Sequence, residues 1–506
     1  MILAIDQGTT STRVIVFNLN GTIKYQHSEP ITVSHPLHGY ASINPNDLYN
    51  SVELCLKHAY EHHPDIQAVG LTNQRETTIF WTNDGHIFDD GIVWYDARTS
   101  DLVDKYTLKY GSSHLQSTTG LSFSTYFSAL KIVWMIQNNS EIAEAYADKT
   151  LRLGTVDTFL LWKLTGEYKT DITNASRTML MNLHSGEWDK SVLSLFGLEN
   201  LVLPAIHASD AKFGTINIPY FKNALICGIL GDQQAALVGQ NCLQPGDCKC
   251  TYGTGCFLLM TTDKPIFSSK GLITTVAFEL GGVRRYALEG AVNNVGSVIS
   301  WFEKLDMFKN GIELDLLAQE VDSSDGVIFV PALAGLFAPY WQPNAKGVLI
   351  NLTQATTKSH IGYALFESIA IQIKQVIEIM AKDAKLEIAQ VKVDGGVCNS
   401  NLLMQIQSNM VQSPVLRPHM RETTALGCAI AAGISVGIYK LNGTLPVHYE
   451  YFLPGKYRKE IVEEWKESVA LAIPTKKSRK WSLLEIGIVL SMINIAGIGA
   501  AKWWFK

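Results

Sequence analysis

Asp6-Gln7-Gly8-Thr9-Thr10-Ser11-Thr12-Arg13, with the apolar segments on either side of it, decides the fold. Ile2 to Ile5 reads as a strand, the Gly/Thr-rich stretch as a tight turn, and the β-branched run from Arg13 to Phe17 as the returning strand, with Asn20-Gly21 turning into a third. The same device recurs near mid-chain, where Cys248 to Tyr252 leads into Gly253-Thr254-Gly255 and returns through Cys256 to Met260. The two halves therefore read as repeats of one plan. Strand-like runs at Ile66 to Thr72, Ala224 to Leu230, Gly326 to Leu333 and Gln390 to Val393 are interspersed with helical stretches at Ser128 to Gln137, Thr155 to Leu164, His360 to Ala384 and Thr423 to Val436, the pattern of α/β layers. A chain of 506 residues exceeds what one core organises, so two domains are expected, at 1–243 and 244–470, with a cleft between them.

Composition narrows the function classes. With 47% hydrophobic residues, 18% charged residues and a net charge of −5, the chain offers no basic surface for nucleic acid. Its eight cysteines lack the spacing of a disulfide framework and read as reduced thiols. The cluster Cys248, Cys250 and Cys256 has neither a CxxC pair nor the histidines of a zinc site. Met1 is followed at once by the first strand, so no targeting peptide is expected and the body of the protein is expected in the cytosol.

In the first loop, Gly8 lets backbone N–H groups approach an anion and the hydroxyls of Thr9, Thr10 and Ser11 add donors, so the loop can cradle phosphate. Asp6, acceptor-only at the strand end, suits water around Mg²⁺ on nucleotide phosphates, and Arg13 can neutralise phosphate charge. Taken alone, such a tip is more often just a turn, but a second loop at an equivalent place can grip one polyphosphate from the other side. Val393-Asp394-Gly395-Gly396 offers a flat backbone surface for adenosine. Asn73-Gln74-Arg75-Glu76 sets an adjacent donor and acceptor at a strand's carboxyl end, which suits neighbouring hydroxyls of a polyol; a surface ion pair is the competing reading. Asp232 opens a helix after the apolar strand Cys227 to Leu230. It reads as a general base facing the crevice or, more plainly, as a helix cap.

Read in order, DQGTTSTR, GLTNQRETT, TYF, GTVDTFLLWKLTG, TNASRTML, GDQQAAL, TYGTGCFLLM, YALEGAV, APYW, VDGG and ETTALG resemble the glycerol kinases of the carbohydrate kinase family over about residues 1 to 470. That resemblance implies an α/β fold of two ribonuclease-H-like, actin-like ATPase domains and transfer of phosphate from ATP, with Mg²⁺, to glycerol. Carried over by motif, Arg75, Glu76, Tyr126, Asp232 and Gln233 would contact glycerol, with Trp94 and Phe257 as apolar walls. Thr10, Arg13, Thr254, Gly296 and Gly396 would contact the nucleotide. Two positions depart from the family pattern on the adenine side, Ser300 and Ser400. A homodimer or homotetramer is the assembly the family implies. Rival readings are a kinase of another polyol or ketose and a nucleotide-binding module without phosphotransfer.

Past residue 470 the chain changes character. A basic linker at 471–480, with Lys476-Lys477-Ser478-Arg479-Lys480, precedes an apolar run at 481–506. Its length and basic flanks suggest a C-terminal apolar helix anchoring a cytosol-facing enzyme in a membrane, the mitochondrial outer membrane being favoured. A helix buried on the body or on a partner, with a soluble cytoplasmic enzyme, is the alternative.

Overall fold

The computed structural model describes residues 1–219, 221–441, 443 and 447–474. Six strands build the first sheet: β1 (Ile2–Gln7), β2 (Ser11–Phe17), β3 (Ile23–Pro30), β4 (Ala68–Asn73), β5 (Gly214–Ile218) and β6 (Phe221–Gly231), in the order β5-β6-β4-β1-β2-β3. β1 pairs antiparallel with β2 and parallel with β4, and β4 in turn pairs parallel with β6. Seven strands build the second sheet: β7 (Cys248–Tyr252), β8 (Cys256–Thr262), β9 (Ile273–Leu280), β10 (Val283–Val292), β11 (Val391–Asp394), β12 (Val415–Pro418) and β13 (Tyr449–Phe452), in the order β9-β10-β8-β7-β11-β12-β13. Here too a central strand, β7, pairs antiparallel with its hairpin partner and parallel with a later strand, β11. The repeat expected from the two Gly/Thr hairpins is thus a repeat of whole sheets, and the pair of ribonuclease-H-like units is borne out.

Nine helices position the site: α1 (Pro45–His62), α2 (Ser128–Asn138), α3 (Val156–Thr165), α4 (Asp232–Gly239), α5 (Gly296–Lys304), α6 (Gly311–Ala318), α7 (Lys358–Ala384), α8 (Asn401–Val411) and α9 (Thr423–Ser435). The central strands are buried along their length, Ile2 to Ile5 being wholly inaccessible, because helices cover both faces. Leu3, Ile5, Val14 and Val16 pack on the α1 side, while Ile2, Ala4, Ile15 and Phe17 pack on Ala425, Leu426 and Ala429 of α9. This alternation within one strand gives each face its own core. The strand expected over Gly326 to Leu333 shortens to Ile328–Val330, since Pro331 has no N–H to give to the ladder.

The Ala- and Gly-rich composition of α9 permits backbone-to-backbone packing. A Cβ added at Gly427 would lie 1.8 Å from the Ala235 carbonyl oxygen of α4, and one at Gly70 of β4 would lie 2.3 Å from the Cys428 carbonyl oxygen. Neither partner is a side chain that can swing away. Gly427→Ala is therefore expected to destabilise the fold by about 3 kcal/mol or more, read as a lowered urea midpoint at unchanged slope.

The expected membrane anchor is corrected. Among the described residues no helix is long and apolar enough to cross a membrane. The segment on which the anchor, the C-terminal apolar helix and the mitochondrial assignment rested, 481–506, lies outside the described residues. The charged α-helix Glu460–Ala472 ends the described body; it buries Ile461, Trp465 and Val469 and turns its glutamates to solvent.

Candidate active site

The carboxyl ends of β1, β4 and β6 bring Asp6, the Gln74-Arg75-Glu76 turn and Asp232 to one edge of the first sheet. Glu76 sits at φ +62°, in the left-handed region that costs a non-glycine residue energy, and the Thr77 N–H donates to the Arg75 carbonyl at 2.7 Å. What holds the turn is a ring of donors around the Glu76 carbonyl: Lys131 Nζ at 3.2 Å, Ser128 Oγ at 3.1 Å and Thr78 Oγ1 at 3.0 Å. Lys131, wholly buried on α2, also donates to the carbonyls of Trp94 and Tyr126, and burial pushes its ammonium down to about 7. It acts as a buried strut that fixes three site segments at once.

Arg75 and Glu76 are 3% and 1% exposed, so the surface ion pair that competed with the functional reading is excluded. Arg75 instead makes a two-pronged contact with Glu289 of β10, Nη1 to Oε2 at 2.6 Å and Nη2 to Oε1 at 3.2 Å. Arg177 donates through Nε to Glu76 Oε1 at 2.5 Å and through Nη2 to Glu289 Oε1 at 3.1 Å. Burial would raise the Glu289 carboxyl, but Arg177 and Arg75 overcome it and pull it down to about 2. Burial wins at Glu76, whose carboxyl is raised despite the same two guanidinium groups. The network is completed by the Tyr126 hydroxyl, 3.5 Å from Arg75 Nη2.

Asp232 is the first residue of α4 and does not serve as its cap, a place taken by Gly231. Its Oδ1 lies 3.3 Å from Arg75 Nε and accepts from the Gln233 N–H at 2.7 Å. About a third of the side chain meets solvent, yet protein surrounds it, and that desolvation raises its carboxyl against the pull of Arg75. A carboxylate with a raised pKa and an open edge is a better proton acceptor than a fully exposed one. Gln233 accepts from Lys249 Nζ, which reaches it from β7 of the second sheet and also donates to Thr251 Oγ1 at 2.7 Å.

The first loop closes on itself through the Gly8 N–H and the Ser11 carbonyl at 2.9 Å, leaving Thr10 exposed and Ser11 half-buried. Trp94 Nε1 donates to Thr9 Oγ1 at 3.0 Å and its ring meets that of Tyr126 edge-on at 5.6 Å, so one indole links the first loop to the Arg75–Tyr126 network. Asp6 is 4% exposed and accepts from Arg13 Nη2 at 2.9 Å; burial, with the charge of Asp232 adding to it, raises its carboxyl to about 6. Arg13, half-exposed, is also held by Glu422 at 2.9 Å and 3.1 Å, so two carboxylates already engage the guanidinium expected on phosphate. Asp6 fits a hydrated magnesium ion: it is a hard oxygen donor, starved of solvent, with a second carboxylate close enough to perturb it.

On the second sheet, the Gly296 N–H donates to the Gly253 carbonyl and the Ser297 N–H to the Thr254 carbonyl, each at 3.0 Å, so the second loop and the start of α5 form one ledge. Ser300 lies exposed one turn along α5. Gly395, at φ +89°, sits so close to β7 that a Cβ would lie 2.3 Å from the Tyr252 carbonyl oxygen, while Gly396 faces open space. Ser400 is drawn elsewhere: its hydroxyl caps α8 at the Leu403 N–H and donates to Asp315 of α6. Phe257, the second residue of β8, is half-buried opposite Thr251. Sequence reasoning passed over Glu289 and Lys131, each a charge inside an otherwise apolar run, and Arg177 and Lys249, flanked by Ser176 and Thr178 and by Cys248 and Cys250.

Residues 1–239 match the N-terminal domain of the FGGY family of carbohydrate kinases, and residues 248–436 match its C-terminal domain. The glycerol kinase of Brucella anthropi is 42% identical over 475 residues, covering 91% of this chain and 92% of that one. Glycerol kinase 2 of Thermotoga maritima is 40% identical over 492 residues, covering 94% and 99%. Among solved structures, Plasmodium falciparum glycerol kinase with ADP superposes with a TM-score of 0.90 at 33% identity, covering 94% of this chain and 98% of that one. A ligand-bound xylulose kinase from Lactobacillus acidophilus, at 20% identity and a TM-score of 0.83, shares the fold. Two matched domains spanning most of the chain, on paired sheets of one plan, establish that the chain belongs to the FGGY family of carbohydrate kinases.

Proposed function

We propose that the chain transfers the γ-phosphoryl group of ATP to glycerol, giving ADP and sn-glycerol 3-phosphate. The observation that carries this reading is the buried Arg75–Glu289–Arg177–Glu76 network beside the half-open Asp232. It fixes charged donors and acceptors against reorganisation, in a chain about 40% identical overall to relatives named glycerol kinase. Arg75 and Glu76 hold the hydroxyls of glycerol in register, Tyr126 and Gln233 complete the polar contacts, and Trp94 with Phe257 pack its carbons. Asp232 takes the proton of the attacking hydroxyl. Phosphoryl transfer with a loose transition state calls for that proton late, so a carboxylate suffices.

On the nucleotide side, Thr9, Thr10, Ser11 and Arg13 from the first sheet and Thr254, Gly296, Ser300 and Gly396 from the second hold ATP, and Arg13 exchanges a carboxylate for phosphate when ATP binds. Magnesium, held through water by Asp6, would supply charge neutralisation for the phosphates. We place the division between the two units near Leu243 to Asp247. Homodimer or homotetramer assembly rests on the family resemblance, and sedimentation of the purified chain decides it. The eight cysteines, all unpaired and buried, suit a reducing compartment.

The test is ATP-dependent formation of glycerol 3-phosphate by the purified chain, with relative kcat/KM measured for glycerol, dihydroxyacetone and pentuloses. A ketose turned over more efficiently than glycerol would overturn the substrate assignment, and an ATP-binding but inactive chain would overturn the enzyme. Trp94→Phe removes the hydrogen bond to Thr9 while keeping an apolar wall. It is expected to lower kcat/KM for glycerol by about tenfold, the size of one hydrogen bond.

A further inference from the structure

A strand face that packs on a helix is ordinarily apolar. On β3 the half-buried positions Tyr25, His27 and Glu29 alternate with the exposed Lys24, Gln26 and Ser28, and the half-buried set faces α1, which presents His58. His27, Glu29 and His58 each bring one ligand atom into a group lying within 4.8 Å of one another. His27 Nε2 and Glu29 Oε1 are 2.6 Å apart, and the rings of His27 and His58 lie 4.1 Å apart between centroids. Glu61, one turn along α1 from His58, lies 3.7 Å from His58 Nδ1.

We infer that His27, Glu29 and His58 form a binding site for a divalent transition-metal ion of the zinc class. Two imidazoles and one carboxylate are a zinc ligand set, with a fourth position left for water. Bonds of about 2.0–2.2 Å in a tetrahedron require ligand atoms about 3.4 Å apart, a value between the 2.6 Å that separates His27 from Glu29 and the 4.8 Å within which all three lie. The ion takes the place of the hydrogen bond between His27 and Glu29. Glu61 stands where a carboxylate behind a ligating histidine orients the ring, with Nδ1 turned to the carboxylate and Nε2 left for the metal. Nitrogen donors exclude magnesium as the occupant in favour of zinc, copper or nickel.

The site is separate from the cleft. His27 pairs with Val14 and Glu29 with Thr12, so the cluster lies on the opposite face of the sheet from Arg13, which pairs with Ser28. It would clamp the outer strand of the first sheet to α1, whose Ser51 hydroxyl already meets Thr12 at 2.7 Å.

The test titrates Zn²⁺ into the metal-free full chain in competition with a chromophoric chelator, with Co²⁺ substituted in parallel. One tight equivalent is expected, giving the strong visible bands of four-coordinate cobalt and a raised melting temperature. His58→Ala and Glu29→Gln are each expected to weaken that equivalent by about 100-fold or more, since loss of a group behind a ligand already costs about 10–100-fold. Both variants should melt near the metal-free wild type and keep its kinase activity. Binding that survives both substitutions, or a wild type with no tight equivalent, overturns the assignment.

Discussion

Asp232→Asn is expected to lower kcat for glycerol phosphorylation by about 10²- to 10⁴-fold with little change in the melting temperature. The amide keeps the shape of the carboxylate at the start of α4 and loses both its charge and its capacity to take a proton. Stability is spared because Gly231, not Asp232, occupies the cap position of α4. Arg75 keeps its two-pronged partner, Glu289, so no buried guanidinium is abandoned. A binding role alone would raise KM with kcat intact, whereas a general base lost from the transition state lowers kcat at saturating glycerol. Steady-state kinetics beside a thermal melt therefore separates the two, and unchanged kcat would remove Asp232 from its role.

Glu289→Ala should produce the largest loss of stability of any single substitution in the site, about 3–5 kcal/mol, because it strands Arg75 and Arg177 together in a dry interior. Both guanidinium groups are essentially inaccessible, and each donates to this one carboxylate. The same group carries an acid dependence. Its carboxyl is depressed from an ordinary value of 4.5 to about 2, so the stabilisation it provides is fully present above about pH 4.5 and is lost as pH falls toward 2. Urea unfolding of wild type and Glu289→Gln across that window should show a steeper acid loss in the wild type. Parallel curves would show that the pairing contributes nothing.

The two hairpins were legible because a Gly/Thr tip between strand-like runs is a local signal, readable within about a dozen residues. The long helix expected over His360 to Ala384 forms as Lys358–Ala384, and the one expected over Ser128 to Gln137 forms as Ser128–Asn138, since apolar spacing is also local. The charged network was not legible in the same way. Arg75 and Glu289 stand 214 residues apart, and nothing near Glu289 in the apolar run Tyr286 to Val292 says which cation it meets. Lys131 was hidden for a related reason: its three acceptors are backbone carbonyls, which carry no sequence signature. Ser400, which departs from the family pattern on the adenine side, has a second role that no local signal announces: its hydroxyl stitches α8 to α6.

The seating of α9 on the first sheet has a consequence for biosynthesis. Ile2, Ala4, Ile15, Phe17, Ala68 and Cys227 are covered by a helix that begins at Thr423, long after β6 ends at Gly231. At about 5–20 residues per second, a ribosome needs roughly 10–40 s to span that gap. Throughout it the nascent amino-terminal half carries an apolar face with no lid of its own. Such a face lacks its cover during translation, and the two halves made as separate polypeptides are expected to be insoluble alone and soluble when produced together.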